Sequence, residues 1–248
     1  MRDLLRALPK IDARSVMDIG CGPGNSTEVA ADLFPHAHIS GIDSSSDMIE
    51  AARRRLPQAH FTVEDIDTWL KHAPSGDIAR GSGPFEVILA NAVLQWLPDH
   101  AALLPALIER LRPGGALAVQ MPDNLDEPAH RLMRELAARG PWAAKLAAAS
   151  KARPLLAGAN WYFDLLRPLC SKVDLWRTTY YHPLSGGAAA VVEWFKGSGL
   201  RPFLEPLDDA ERAQFLNEYT AAISLAYPAS SDHRVLLPFP RVFLVAIR

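Results

Sequence analysis

The sequence predicts an α/β fold, a doubly wound and mostly parallel sheet with a helical cap inserted late in the chain. Short apolar runs alternate with helical patterns through the first half, as in the βαβ units of a parallel sheet. A glycine-rich turn follows the first run, and a long excursion at residues 183–239 separates the last two strand-like runs. An ordinary crossover is far shorter, so we expect the excursion to cover an active site.

Strands and helices alternate in the first half. The predicted strands are Ser15–Ile19, Ala37–Ile42, His60–Val63, Phe85–Ala90 and Ala116–Met121. The predicted helices are Ser26–Phe34, a segment that Ser44 or Ser45 caps and that runs through Leu56, and Pro98–Leu111. Three arginines and Pro57 end the second helix, and the turn that begins at Pro113 ends the third.

The second half is less regular. Its predicted elements are a helical stretch at Leu125–Ala149, strands at Val173–Tyr181 and Arg241–Ile247, and helices at Ala188–Gly199 and Asp208–Tyr227. We therefore expect a core at 1–124, a helical segment at 125–172, and the last two strands at 173–248 with the cap inserted at 183–239.

Charge and composition argue against several classes of protein. Lys and Arg total 26 against 28 Asp and Glu, so no basic face for nucleic acid is expected. No apolar run reaches the ~20 residues that span a bilayer, and Met1–Lys10 lacks the apolar core of a signal peptide. Cys21 and Cys170 are too few for a disulfide framework and lack partners at metal-ligand spacing. We expect a cytoplasmic protein without a metal.

The turn after the first strand has the pattern of a nucleotide-binding loop. Glycines at 20, 22 and 24 remove side chains that would keep a ligand away from the backbone, and Cys21 between them is expected to pack. Asp43 ends the next strand about twenty residues later, where a carboxylate can accept hydrogen bonds from ribose hydroxyls. This is a Rossmann-like arrangement.

Two residues favour S-adenosylmethionine (SAM) over a dinucleotide. Asn25 stands where the dinucleotide pattern requires a third glycine. Asp18 lies just before the turn, where an anion would attract an ammonium or sulfonium group and repel a pyrophosphate. An NAD-dependent oxidoreductase is the alternative, although no Tyr-x-x-x-Lys pair of the short-chain reductases is found.

Further strand ends complete the predicted cofactor site. Asp65 and Ile66 follow the third strand and are expected to bind the adenine amino group and pack against its ring, unless Asp65 only caps a helix. Asn91 follows the fourth strand, with Gln95 and Trp96 just beyond; Trp96 forms either a substrate wall or ordinary packing. The predicted cofactor-binding residues are Asp18, Gly20, Cys21, Gly22, Gly24, Asn25, Asp43, Ser44, Met48, Asp65, Ile66 and Asn91.

Several segments together resemble the trans-aconitate 2-methyltransferase family. They are residues 18–24 (DIGCGPG), 41–45 (GIDSS), 90–98 (ANAVLQWLP), 119–124 (VQMPDN), 173–182 (VDLWRTTYYH), 199–202 (GLRP) and 239–246 (FPRVFLVA). The first is shared by most class I methyltransferases. The segments QMPDN and WRTTYYH are much narrower signals, and the resemblance runs over nearly the whole chain.

The resemblance implies a class I methyltransferase sheet with an antiparallel last strand. It also implies methyl transfer from SAM to one carboxylate of trans-aconitate, giving a monomethyl ester and S-adenosylhomocysteine, with weaker action on cis-aconitate, isocitrate and citrate. The expected partner is a small polycarboxylate, and the expected state is a monomer or weak homo-oligomer.

The chain departs from the family pattern at two places. Family members carry further residues before the point where this chain begins, so Met1 falls within the expected first helix; either the start is misassigned or part of a lid is missing. Lys71–Pro84 is longer than in the family and rich in Gly and Ser, as in a flexible surface loop.

No catalytic base is expected, because a carboxylate with a pKa of about 4 is already ionised at neutral pH. Catalysis should depend on positioning, and a polyanion requires cations and hydrogen-bond donors. We expect Tyr181 and His182 at the end of their strand, with Arg241 beside them. Gln120 and Asn124, at the end of the fifth strand, could also bind substrate oxygens. The alternative role for His182, Gln120 and Asn124 is to form turns. The predicted substrate-binding residues are Gln95, Trp96, Gln120, Asn124, Tyr181, His182 and Arg241.

Other functions stay open on the sequence. Another small-molecule methyltransferase, for instance one that esterifies a malonyl thioester, would need a surface for a carrier protein. A SAM-binding protein without catalysis is a further alternative.

Overall fold

The computed structural model describes residues 1–72, 76, 83–151 and 153–248. Its strands are β1 (Ser15–Ile19), β2 (His38–Asp43), β3 (His60–Val63), β4 (Phe85–Asn91), β5 (Leu111–Pro122), β6 (Lys172–Ser185) and β7 (Arg234–Ile247). Its α-helices are α1 (Arg2–Arg6), α2 (Asn25–Leu33), α3 (Ser46–Arg55), α4 (Ile66–Lys71), α5 (His100–Glu109), α6 (Pro128–Arg139), α7 (Ala143–Leu146), α8 (Ala159–Leu166), α9 (Gly187–Lys196), α10 (Arg201–Leu204) and α11 (Asp209–Ala226).

The strands form one sheet in the order β3-β2-β1-β4-β5-β7-β6. The pairs β1–β2, β2–β3, β1–β4 and β4–β5 are parallel. β7 runs antiparallel to β5, since Gly114 N donates to Arg248 O and Arg248 N donates to Gly115 O, each at 2.9 Å. The predicted fold class is confirmed.

The strand order reverses between β1 and β4. All five residues of β1 are buried, as expected for a central parallel strand covered on both faces. In open α/β sheets, ligands bind beyond the carboxyl ends of the strands at such a reversal. The site is therefore expected where β1, β2 and β4 end.

The described chain divides into two compact units. The first contains Met1–Met121, Ala157–Arg177 and Val242–Arg248, and the second contains Pro122–Leu156 and Thr178–Arg241. The second unit has its own apolar core, in which Trp142, Phe215 and Tyr219 are fully buried.

Two predictions about the second half are wrong in detail. The helix predicted at Leu125–Ala149 is broken after Arg139, because Gly140 and Pro141 end α6 and the Trp142 indole turns back to donate to Leu136 O at 2.9 Å. β6 and β7 extend beyond the predicted ends, so residues 186–233 separate them. Pro183 lies inside β6, the edge strand of the sheet, where proline is tolerated, and Pro238 and Pro240 lie inside β7.

Smaller differences affect other boundaries. β5 begins at Leu111 rather than Ala116. Phe85 pairs with Leu111 and Val87 with Ala116, so a register shift accommodates the Pro-Gly-Gly residues within the strand. The predicted Gly/Ser-rich loop falls mostly at residues 73–75 and 77–82, outside the described residues. In the part of the chain that is described, no helix has the length and apolar character needed to cross a membrane.

Candidate functional site

A cavity of about 690 Å³ lies at the carboxyl ends of β1, β2 and β4, within the first unit. It is lined by Gly20, Cys21, Gly22, Pro23, Asn25, Ser26, Asp43, Ser44, Met48, Glu64, Asp65, Ile66, Asn91, Ala92, Val93, Trp96 and Leu97. The structure therefore brings most of the predicted cofactor-binding residues together, although they come from separate stretches of the sequence.

The glycine-rich loop is folded by positions that only glycine occupies easily. Gly20 has φ +64° and Gly22 has φ +54°, both in the left-handed region. A Cβ on Gly20 would lie 2.2 Å from Val93 Cγ2, so this position also needs glycine for space. Because Gly20 and Val93 pack in this way, the loop after β1 and the turn after β4 meet at the cavity.

Asp43 fixes the loop from the end of β2. Its Oδ2 accepts from Gly22 N and its Oδ1 accepts from Ser45 N, each at 2.9 Å. Ser45 in turn caps α3, with its Oγ accepting from Met48 N at 3.4 Å. The carboxylate is thus held by the protein, and its remaining lone pairs can accept from the hydroxyls of a ribose.

Asp18 is fully buried at the end of β1 and is not among the lining residues. Its Oδ2 accepts from Ser26 Oγ at 2.7 Å and Thr27 Oγ1 at 2.6 Å, which ties β1 to α2. Burial raises the pKa of this carboxyl to about 6, against the effect of the two hydroxyls. Its Oδ1 has no hydrogen-bond partner among the described residues.

Two more buried oxygens near the end of β4 lack partners in the described part of the chain. They are Asn91 Oδ1 and Gln95 Oε1, whereas Gln95 Nε2 donates to Ala92 O at 2.7 Å. Buried acceptors are almost always satisfied in native proteins, and of these three residues Asn91 is the one that lines the cavity, where a bound ligand can supply the donor. An ammonium group supplies several donors, and Asn91 therefore fits a ligand with an amino group.

Asp65 and Ile66 line the cavity, but Asp65 is also a helix cap. Its Oδ1 accepts from Thr68 N at 2.8 Å and its Oδ2 accepts from Thr68 Oγ1 at 2.7 Å. These hydrogen bonds lower the pKa of Asp65. Asp65 therefore caps α4, as the alternative prediction stated, and its contact with adenine stays a prediction.

The predicted residues differ in how they meet the cavity. The Trp96 side chain is 51% exposed and forms part of the wall. Gly24 shapes the start of α2 with φ +85° and, like Gln95, does not line the cavity. Gln120 is fully buried, and its backbone carbonyl oxygen accepts a hydrogen bond from Ala92 N at 2.8 Å.

In the second unit, Arg241 lies among aromatic rings. Its guanidinium carbon is 4.9 Å from the centre of the Phe239 ring and 5.8 Å from that of Tyr180. His182 packs against Trp194 and Phe239, with ring centres 4.8 and 5.8 Å apart. Burial and the charge of Arg241 lower the pKa of His182, which favours its neutral form. Burial also lowers the pKa of Arg241.

The expectation that Tyr181 lies beside Arg241 is wrong. β6 continues to Ser185, so neighbouring residues point to opposite faces, and Tyr180 is the tyrosine that meets Arg241. Tyr181 is 60% exposed and lines a groove with Tyr227 and Leu236.

The sequence reasoning missed Arg153. Its Nη1 donates to Asn124 Oδ1 at 3.1 Å, and its Nη2 donates to Pro122 O. Burial lowers its pKa to about 10, while the charge of Asp123 opposes this shift. Asn124 is 2% exposed and is held by this cation at the end of β5. No local pattern distinguishes Arg153 from a surface arginine of the Ala-rich stretch around it.

The sheet order, the antiparallel β7 and the glycine-rich loop after β1 define a class I SAM-dependent methyltransferase. Residues 1–167 match the family described as Methyltransferase domain. A trans-aconitate 2-methyltransferase of Azoarcus sp. is 51% identical over 247 residues, covering 100% of this chain and 92% of the relative. One from Methylobacterium radiotolerans is 52% identical over 248 residues, covering 98% and 90%. The chain belongs to the trans-aconitate 2-methyltransferase family.

Solved structures of low identity share the fold. The YcgJ protein from Bacillus subtilis is 12% identical with a TM-score of 0.59, covering 100% of this chain and 96% of that chain. Phosphoethanolamine N-methyltransferase 2 of Haemonchus contortus, solved with SAM, is 14% identical with a TM-score of 0.54, covering 100% and 52%.

The chain is thus a SAM-dependent methyltransferase. The alternatives of an NAD-dependent oxidoreductase and of a SAM-binding protein without catalysis are set aside. Among the described residues, no group of three or more His, Cys, Asp or Glu side chains is placed to hold a metal ion.

Proposed function

We propose that this chain methylates one carboxylate of trans-aconitate, giving the monomethyl ester and S-adenosylhomocysteine. The main support for the proposal is that about half of all positions, over nearly the full chain, are identical to those of relatives named for this activity. These relatives also favour a free polycarboxylate over a malonyl thioester as the substrate.

We propose the cavity of the first unit as the SAM site. Asp43 would accept from the ribose hydroxyls, and Ser44 and Met48 follow it along the cavity wall. Asp65 and Ile66 would hold the adenine. The unsatisfied Oδ1 of Asn91, on the cavity wall, suits the ammonium end of the ligand, and the Asp18 carboxylate, buried just before the glycine-rich loop, adds negative charge behind it.

Bound SAM would supply a methyl group on a sulfonium; its transfer to a carboxylate oxygen would form the O–CH3 bond, break the S–CH3 bond and leave a neutral thioether. The protein needs no base for this reaction, because the attacking carboxylate is already ionised. Its residues act by positioning the acid and by excluding water, and near-attack positioning supplies several kcal/mol.

The substrate is a trianion, and the second unit supplies cations and donors of the right kind. Arg241 can bind a carboxylate through two parallel N–H groups while its planar group stacks on Phe239. Neutral His182 can donate or accept, and Asn124 is a further polar group held in place by Arg153. In this proposal the tyrosine beside Arg241 is Tyr180 rather than the predicted Tyr181.

The test measures release of S-adenosylhomocysteine after the chain is mixed with SAM and one acid at a time. The acids are trans-aconitate, cis-aconitate, citrate and isocitrate. Turnover that is selective for trans-aconitate is the expected result. Equal turnover of all four acids, or no turnover by a protein that binds SAM, would overturn the substrate proposal. Failure to bind S-adenosylhomocysteine would overturn the site.

We also propose that the enzyme acts in the cytoplasm as a monomer or weak homo-oligomer and without a nucleic-acid partner. The nearly balanced charge of 26 basic and 28 acidic residues supports the last point. Sedimentation of the purified chain measures the oligomeric state.

A further inference from the structure

A buried histidine–tyrosine pair in the first unit has no part in the proposed reaction. His100 Nδ1 is 2.8 Å from the Tyr162 hydroxyl, and His100 Nε2 is 2.8 Å from Leu94 O. Tyr162 is fully buried and His100 is 9% exposed. The pair connects α8, α5 and the turn that follows β4.

The direction of these hydrogen bonds follows from the groups involved. A carbonyl oxygen only accepts, so His100 Nε2 carries the proton that is donated to Leu94 O. In the neutral ring Nδ1 is then the acceptor, and the Tyr162 hydroxyl donates to it. Tyr162 thus fixes the tautomer and orientation of the ring that binds Leu94.

Leu94 begins a short 3-10 helix, Leu94–Trp96, which is part of the cavity wall. Val93, Trp96 and Leu97 around it line the cavity, and Val93 packs against Gly20 of the glycine-rich loop. A single 3-10 turn has weak internal hydrogen bonding, so its shape depends on groups outside it. Leu94 O accepts from Leu97 N at 2.9 Å inside the turn and from His100 outside it.

We infer that His100 and Tyr162 are positioning residues, which hold the Leu94–Trp96 turn in place and thereby set the affinity of the cavity for SAM and S-adenosylhomocysteine. This inference rests on the proposed location of the cofactor. The pair touches neither reacting atom. It acts through the Leu94 carbonyl on the wall that Val93 and Trp96 form.

Two substitutions of His100 separate its hydrogen bond to Tyr162 from its hydrogen bond to Leu94. The amide of asparagine reaches the position of Nδ1, so His100→Asn keeps the contact with Tyr162 and loses the bond to Leu94. The amide of glutamine reaches the position of Nε2, so His100→Gln can still donate to Leu94. Tyr162→Phe removes only the hydroxyl that orients the ring.

A matched control comes from the second unit. Tyr219 is also fully buried, and its hydroxyl donates to a backbone carbonyl, Ala129 O, at 3.1 Å. Tyr219→Phe therefore removes the same group from an equally buried place that does not line the cavity.

The measurement is the Kd of S-adenosylhomocysteine by calorimetry, at a temperature where circular dichroism shows each variant to be folded. We expect His100→Asn to raise the Kd about fivefold and Tyr162→Phe about threefold, as for loss of one hydrogen bond. His100→Gln should have a smaller effect than His100→Asn. Tyr219→Phe should lower the unfolding temperature as Tyr162→Phe does and leave the Kd within error.

Two results would overturn the inference. One is equal binding by wild type, Tyr162→Phe and whichever His100 variants fold. The other is a rise in Kd for Tyr219→Phe as large as that for Tyr162→Phe, since general loosening would then explain the effect. If the wild-type chain does not bind, or if Asp43→Ala binds as well as wild type, the proposed location fails instead.

Discussion

The two units differ in the chemistry of their polar groups. The cavity of the first unit is rich in acceptors, with the carboxylate of Asp43 and the unsatisfied oxygen of Asn91 on its wall, and the carboxylate of Asp18 is buried just before the glycine-rich loop. The second unit contains two half-buried guanidinium groups, Arg153 and Arg241, and burial lowers the pKa of each, that of Arg153 to about 10. Acceptors suit the cationic end of SAM, and cations suit a polycarboxylate.

The two regions also differ in how the chain builds them. In the first unit, successive strand ends bring short segments to one edge of a parallel sheet. In the second, Arg241 meets Tyr180 across the strands β7 and β6, and Arg153 reaches Asn124 from 29 residues away. A site made of local motifs can be found from spacing, whereas one made of distant single residues depends on packing.

Loss of Asp43 should give the largest effect, because this carboxylate both holds the loop through Gly22 and faces the proposed ribose. We expect Asp43→Ala to raise the Kd for S-adenosylhomocysteine about a hundredfold, as two charge-assisted hydrogen bonds are lost. Calorimetry measures the change. Asp47→Ala removes an exposed acid of the same charge from α3 and should leave the Kd unchanged. Similar affinity in the two variants would show that the acceptors of the first unit do not bind the cofactor.

Loss of Arg153 tests whether the second unit depends on this half-buried cation for stability. We expect Arg153→Ala to lower the free energy of unfolding by about 2 kcal/mol, because the buried Asn124 Oδ1 loses its donor. Arg153→Lys should recover part of this loss, since an ammonium can donate but lacks the planar fork. Urea unfolding measures both.

The control for Arg153 is Arg139→Ala, which removes an arginine with an exposed hydrogen bond to Glu135 O. A change within about 0.5 kcal/mol is expected for such a surface substitution. If Arg153→Ala is no more destabilising than Arg139→Ala, the stability of the second unit does not depend on Arg153.

What the sequence could predict follows the same division. The loop and Asp43 were found because glycine spacing and strand ends are local features with direct steric causes. Tyr181 was misplaced because the strand was expected to end there, whereas β6 continues to Ser185 and Tyr180 is on the face that meets Arg241. Arg153 carried no local signal, since its role depends on the fold that brings it to Asn124.

Loss of Arg241 tests the proposed polycarboxylate site directly. We expect Arg241→Ala to raise the KM for trans-aconitate about tenfold, because one charged hydrogen-bonding group is lost, and to change the KM for SAM far less. Arg241→Lys should be intermediate. Arg234→Ala, at the exposed start of the same strand and paired with Asp232 at 3.3 Å, is the matched control. Equal effects of Arg241→Ala on both KM values would remove Arg241 from the substrate site.

The smallest effect concerns pH and the buried acid of the first unit. The pKa of Asp18 is about 6, so its carboxyl is mostly neutral at lower pH and gains its charge as the pH rises through that value. Only the charged form attracts an ammonium, and we expect S-adenosylhomocysteine to bind about threefold more weakly at about pH 5 than at about pH 7. Asp18→Asn still accepts from Ser26 and Thr27 but carries no charge, so its affinity should be lower at neutral pH and flat across this range.

Asp12→Asn changes the net charge equally at an exposed position, where the Asp12 side chain is 76% accessible, and should keep the wild-type pH profile. Calorimetric titrations at several pH values compare the three proteins. An unchanged slope in Asp18→Asn would mean that another group titrates. The unsatisfied Oδ1 of Asp18 would then need a donor other than the cofactor, and the acceptor-rich character of the first unit would rest on residues of the cavity wall such as Asp43 and Asn91.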